Sequence, residues 1–296
     1  MLKSIYGQPY LVLTLAVSFW SINFIVGRAV HLDVPPVGLA WWRWAGALIL
    51  LTPFAWRHLR GDWPALRAGW RVTLLCALTG IAVFNTLVYM GLHHTQAINA
   101  ALLQSAMPSL IVLLAFVSAG DLFRPVQLMG LLLSTVGVLT VVTKGDPGVL
   151  INLSLNKGDL MVLVAVICYA VYSVAVRKRP AVHPLSFLWV IFALGLGMLT
   201  PFYVQEHLSG LVMRFDKTVT LGAVAYVAVF PSILSYLFFN RGVELVGPGR
   251  AGLFIHLLPV FASLLAVAIL GETFRWYHGA GLALILGGIG LANRKG

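Results

Sequence analysis

The chain has 296 residues, 60% of them hydrophobic and only 10% charged, with a mean hydropathy of +0.93. A water-facing surface carries about 25% charged residues, so a soluble globular domain is excluded. The net charge of +11 does not point to nucleic acid, because the Lys and Arg fall mainly between apolar runs, where they anchor and orient a membrane protein.

In chain order, ten apolar spans can be drawn at about 20 residues each. They run from Tyr10 to Val30, Val37 to Trp56, Val72 to Leu92, Ala97 to Ala119, Pro125 to Val142, Gly158 to Val176, Leu185 to Phe202, Val219 to Asn240, Ala251 to Leu270 and Tyr277 to Leu291. The first follows Lys3 and is too long for a cleaved leader, so it is read as a membrane helix. Pro35-Pro36, the basic stretch Arg57 to Arg71, the polar linker Gly145 to Asn156 and the stretch Gln205 to Lys217 separate spans. Trp41, Trp42, Trp44, Trp56, Trp189 and Trp276 lie near span ends, where tryptophans serve as interfacial anchors. Cys76 and Cys168 sit inside apolar runs without metal-ligand spacing, so no disulfide, metal or other cofactor is expected.

The stretch from Gly91 to Gly137 recurs from Gly242 to Gly288, 151 residues later. The two copies match without a gap at about 14 of about 47 positions, the mark of an internal duplication. Pro108, Gly120, Arg124, Gly130 and Gly137 recur as Pro259, Gly271, Arg275, Gly281 and Gly288. The expected fold is an all-α polytopic membrane protein of ten transmembrane helices, divided into residues 1–145, a linker 146–156 and residues 157–296. Five spans per half is an odd number, so the second half enters the membrane inverted. With both termini cytoplasmic, about 13 Lys and Arg face inward and about 7 outward, as the positive-inside rule asks. Two inverted helical repeats suit alternating access across the membrane.

Polar side chains deep in a span face protein or a water-filled cavity. Helical spacing groups Trp20, Asn23 and Gly27 in the first span, Asn85 and Tyr89 in the third, Tyr169, Tyr172 and Ser173 in the sixth, and Ser232, Tyr236 and Asn240 in the eighth. The four stripes lie on equivalent spans of the two halves and are read as one substrate cavity; each alone could equally be an interhelical hydrogen bond. Pro108 and Pro259 free the carbonyls of Gln104 and Ile255, making either a binding carbonyl or a packing kink. Gln104 and Ser105 stand where the second half has Ile255 and His256. His256 is read as a structural hydrogen bond, a substrate contact or a proton-linked gate. The glycines of the fifth and tenth spans allow close helix approach. All nine acidic residues, from Asp33 and Asp159 to Glu206 and Glu272, fall in loops or at span ends, so no membrane carboxylate is expected to serve a cationic solute or a proton. No ATP-binding, zinc or nucleophile motif occurs, and an enzyme is not expected.

Several of these residues resemble a known group. Trp20-Ser21-Ile22-Asn23-Phe24, Arg43, Pro108 with Gly120-Asp121, and Pro259 with Gly271-Glu272 are similar to hallmarks of the drug/metabolite transporter superfamily with twin EamA-type halves. Ser21 stands for the family's glycine, and Asp121 for its glutamate. The resemblance implies export of small metabolites across a bacterial inner membrane, and within the family the chain is most similar to the YddG-type amino-acid exporters. The partners it implies are the lipid bilayer and a small solute, amino acids first; a nucleoside, sugar or organic cation is the alternative, and a membrane enzyme is the more distant one. Monomer and homodimer are left open.

Overall fold

In a computed structural model the chain is described over residues 5–30, 34–95, 97–152, 155–270 and 273–293, with side chains described for all of these except 24, 25, 27–30, 97, 98, 266, 269 and 270. Among the described residues the elements are helices: α1 (Pro9–Val30), α2 (Pro36–Ala68), α3 (Trp70–Leu92), α4 (Ala97–Ser105), α5 (Met107–Ala119), α6 (Pro125–Val142), α7 (Gly148–Ile151), α8 (Lys157–Ala175), α9 (Pro184–Leu208), α10 (Thr218–Val246), α11 (Pro248–Leu253), α12 (Leu257–Leu270) and α13 (Trp276–Ala292). Among the described residues eight helical stretches are long and apolar enough to cross a membrane, and α1 and α13 add shorter apolar stretches over Pro9–Asn23 and Trp276–Ala292. Large apolar side chains such as Ile49, Phe54, Leu113, Val117 and Leu132 are exposed, while Trp44, Phe192, Phe187 and Tyr236 are buried. Exposed apolar surface on this scale suits hydrocarbon as the solvent.

Three departures from the sequence reading have physical causes. α2 does not stop at Trp56 but continues through the basic stretch to Ala68, with Pro53 and Pro64 inside it. Charge ends the apolar stretch without ending the helix: Arg57 and Arg60 are good helix formers, and the Arg60 guanidinium rests 6.0 Å from the Trp56 ring. α9 likewise runs through Pro201 to Leu208. Trp44, expected among the interfacial anchors, is fully buried.

Helix starts follow local chemistry. Pro35 and Pro36 set the entry to α2, and its free Val37 and Gly38 N–H groups donate to the Glu206 carboxylate at 3.0 and 2.6 Å. Asn156 and Asp159 form a capping box on α8. Asp159, the third residue of that helix, is buried and also accepts from Thr95 and Asn99. Arg124 and Arg275 occupy the N-cap positions of α6 and α13.

The packing is reciprocal. α2 packs on α9 and α6 on α13, while α3 packs on α8 and α1 on α10. Between α6 and α13 the backbones touch. A Cβ on Gly130 would lie 2.5 Å from the Gly288 carbonyl oxygen and one on Gly288 2.5 Å from that of Gly130; Gly137 and Gly281 are related in the same way at 2.8 Å. Only glycine permits that approach.

Candidate functional site

Two helices depart from α geometry at matching places. α3 is π-helical over Ala77–Val83 and α10 over Val229–Leu234. A π turn carries an extra residue and leaves a carbonyl without its usual partner, and such turns occur at functional sites. In α10, Pro231 has no N–H to give, and the Ser232 hydroxyl donates instead to the Val227 carbonyl at 2.6 Å. The carbonyls of Gly80 and Pro231, 151 residues apart, both turn to side chains of other helices. Tyr236 donates its hydroxyl to Gly80 O at 2.6 Å. Trp20 Nε1 donates to Pro231 O at 3.0 Å, and Arg43 Nη2 donates to the same oxygen at 2.9 Å.

Around these carbonyls the aromatic rings form one cluster. Trp20 meets Tyr169 and Tyr236 edge to face at centroid distances of 5.8 and 6.0 Å. Tyr236 also packs on Trp44, Tyr172 and Phe192, and Tyr169 on Phe84 and Phe239. Tyr172 donates to Asn240 Oδ1 at 2.7 Å. The structure thus brings together Trp20, Asn85, Tyr89, Tyr169, Tyr172, Tyr236 and Asn240 from the four stripes read in the sequence. Asn23 is half-buried with no recorded bond. Ser173 is buried but turns to the Tyr169 carbonyl of its own helix. Gly27, Asp33 and Glu272 lie outside the described side chains.

The residue that joins the stripes is Arg43. Its side chain is 1% exposed. Nε donates to Ser232 Oγ at 2.7 Å, and Nη1 to Asn85 Oδ1 and Tyr89 Oη at 3.1 and 3.3 Å. The guanidinium also lies 4.7 Å from the centre of the Trp44 ring. Sequence reasoning used Arg43 only as a point of resemblance and left it out of the site. The available signal was an arginine inside an apolar span, since an ionisable group there is rarely idle.

His256 makes its contacts elsewhere. Its Nε2 meets the Ser105 carbonyl at 3.1 Å and its Nδ1 the Ser134 hydroxyl at 2.8 Å. A carbonyl only accepts, so Nε2 carries a hydrogen, and the ring ties α4 and α6 to the break between α11 and α12. Both breaks stand just before the repeated prolines: α4 gives way to α5 at Ala106, and Phe254–His256 is a 3₁₀ turn ahead of Pro259. The carbonyl in use beside the first break is that of Ser105, not of Gln104, which is half-buried.

Ion pairs close the ends of the bundle. At one end Arg177 pairs with Asp121, Glu244 with Arg179 and Arg241 at 3.4 and 3.0 Å, and the His58 and His183 rings stack at 3.8 Å. Burial and then the neighbouring His58 hold the His183 pKa below the ordinary imidazole value. At the other end Glu206 and Asp159 tie helix termini, as described above. Among the described residues no three His, Cys, Asp or Glu side chains gather as a metal-binding group.

The comparisons agree with this picture. The sequence model of the EamA-like transporter family matches the chain twice, over residues 8–143 and 156–294. The uncharacterized transporter YyaM of Bacillus subtilis (strain 168) is 28% identical over 221 residues, covering 73% of this chain and 70% of that one. YetK of the same organism, also an uncharacterized transporter, is 26% identical over 292 residues, covering 95% and 85%. A probable terminal-alkyne amino-acid exporter of Streptantibioticus cattleyicolor is 25% identical over 225 residues, covering 75% and 72%. A solved crystal structure superposes with a TM-score of 0.78 over 96% of both chains at 20% identity, which shows the shared fold. The chain belongs to the EamA-like transporter family of the drug/metabolite transporter superfamily and is a multi-pass membrane transporter.

Proposed function

We propose that the protein carries small neutral or zwitterionic solutes, amino acids among them, outward across a bacterial inner membrane by alternating access, and that it has no catalytic activity. The observation that carries this reading is the aromatic and amide cluster at the π turns of α3 and α10, contributed by α1, α3, α8 and α10 and built on the carbonyls of Gly80 and Pro231. Ring faces and amides suit a compact solute with an apolar or aromatic side chain. The amino-acid exporter among the relatives favours the same solute class.

The proposed frame is ten crossings in two inverted five-helix repeats, residues 1–145 and 157–296, joined by 146–156 and with both termini cytoplasmic. Three features support the inversion. Gly130 meets Gly288 as Gly281 meets Gly137, and each pair is the other's counterpart under the 151-residue offset, which is what a two-fold axis between the halves requires. Pairing of α1 with α10 and of α3 with α8 is exchanged by the same operation. The π turns of α3 and α10 are counterparts too. An axis that relates two antiparallel membrane helices lies in the membrane plane, so each half can adopt the conformation the other gives up. Trp20, Asn23, Asn85, Tyr89, Tyr169, Tyr172, Ser173, Tyr236 and Asn240 are proposed to line the path, with Gln104, Ser105 and His256 beside the broken spans and Pro108 and Pro259 as hinges.

The test is purified protein in liposomes given labelled amino acids, nucleosides, sugars and quaternary amines. Counterflow of one or more amino acids, reduced at least tenfold by Trp20→Ala with protein level held, is expected. Transport confined to nucleosides, sugars or amines would overturn the amino-acid reading.

A further inference from the structure

Arg43 raises a question of charge that its hydrogen bonds do not answer. Arginine keeps its charge at any physiological pH, and a buried cation is costly unless an anion stands beside it. All four of its hydrogen-bonding partners, Ser232, Asn85, Tyr89 and the Pro231 carbonyl, are neutral. Among the described residues the ion pairs that hold acidic groups lie at helix ends and none includes Arg43. The hydrogen bonds leave the charge in place.

Not every donor is used. A guanidinium offers five N–H groups, and the recorded bonds take Nε, both Nη1 hydrogens and one on Nη2. The other Nη2 hydrogen has no recorded acceptor. Asn85, which also bonds this guanidinium, is 6% exposed, and while its Oδ1 holds Arg43, its Nδ2 lies within reach of Tyr236 but makes no hydrogen bond of ordinary geometry. The buried Tyr169 hydroxyl is also without a partner. An unpaired buried amide is rare enough in proteins to call for an explanation.

We infer that Arg43 and Asn85 form a carboxylate subsite, with Tyr89 holding the guanidinium in place, and that the cargo is a solute bearing a carboxylate. The inference rests on the carrier reading above and narrows it. One carboxylate oxygen takes the free Nη2 hydrogen and the other the Asn85 amide, a charge-assisted pair of bonds that also neutralises the cation. The rest of the solute then lies against Trp20, Tyr169 and Tyr236, whose ring faces accept an ammonium group or an aromatic side chain. A single guanidinium with one amide matches one negative charge, so a carboxylate is favoured over phosphate or sulfate. An amine without a carboxylate would leave two cations together in low dielectric.

The experiment is competition in wild-type proteoliposomes exchanging labelled phenylalanine, with phenylalanine amide, phenethylamine, 3-phenylpropanoate, inorganic phosphate and sulfate as competitors. Phenylalanine and 3-phenylpropanoate are expected to compete, and the amide and the amine at least about 30-fold more weakly. Arg43→Gln and Asn85→Ala should narrow that ratio rather than lower every affinity alike, and Arg43→Lys should keep part of it. Equal competition by the amide or the amine, or competition by phosphate or sulfate that matches the carboxylates, overturns the inference. If the wild type exchanges no amino acid, the carrier reading above falls, and the subsite is read instead from thermal shifts of the wild-type protein with a panel of short organic carboxylates and their amides. Stabilisation by a carboxylate and not by its amide upholds the subsite; no difference between them overturns it. Those shifts also serve if Arg43→Gln does not fold.

Discussion

Tyr236 holds both of the contacts that shape the cluster. Its ring is packed among Trp20, Trp44, Tyr172 and Phe192, and its hydroxyl satisfies the Gly80 carbonyl exposed by the π turn of α3. The two can be separated by mutation. Tyr236→Phe keeps the ring and orphans a buried carbonyl, a loss of about 1–3 kcal/mol. Tyr236→Ala removes the ring as well and costs about 3–5 kcal/mol. Melting of purified protein in detergent should therefore rank wild type above Tyr236→Phe and that above Tyr236→Ala. A Phe variant as stable as wild type would mean that another donor reaches Gly80 O. Gly80 itself has no room to change: a Cβ there would stand 2.3 Å from the Tyr172 ring.

At the scale of elements, the helices divide into those that touch backbone to backbone and those that do not. The α6 and α13 contact needs Gly130, Gly137, Gly281 and Gly288, whose hydrogens face a neighbouring carbonyl. Gly197 in α9 and Gly290 in α13 face open space. Gly288→Ala should force the helices apart and cost about 1–3 kcal/mol, seen as lost yield and a lower melting temperature. Gly290→Ala, two residues further along the same helix, should be neutral or raise stability by up to about 1 kcal/mol through helix propensity. If the two variants melt alike, the close approach of α6 and α13 is not what holds that pair together. The broken spans are the complementary case. α4–α5 and α11–α12 give up helical hydrogen bonds just before Pro108 and Pro259, and His256 recovers one freed carbonyl by binding Ser105 O.

For the whole molecule, the proposed inverted arrangement makes a prediction about sides. Arg124 and Arg275 stand at the starts of α6 and α13, 151 residues apart, and the proposed inversion would place them on opposite faces of the membrane. Leu122 and Trp276, both exposed, are suitable neighbours for labelling. Leu122→Cys should react with a membrane-impermeant maleimide in inside-out vesicles and Trp276→Cys in intact cells, with the buried Cys76 contributing little background. Labelling of both from one side would exclude inverted halves.

The hydrophobic runs alone determined that the chain is a helical membrane protein, because a span's length is set by bilayer thickness and needs no tertiary information. A duplication is also read there, from prolines and glycines that recur at one offset, and the family model matches the chain twice, over residues 8–143 and 156–294. Helical spacing groups Trp20, Asn85, Tyr89, Tyr169, Tyr172, Tyr236 and Asn240 on faces that lie together in the structure, because side chains three and four residues apart share a face in any α-helix. Spacing could not reveal the π turns at Ala77–Val83 and Val229–Leu234, which change the period itself. Nor could it show that Arg43 reaches across to Ser232 and Pro231, almost two hundred residues away, or that Trp44 is buried while Trp56 is exposed. Those depend on which helices become neighbours. That is decided by packing, where the close approach of small residues and the pairing of buried polar groups outweigh the apolar preference of each helix, which lipid satisfies as well as protein does.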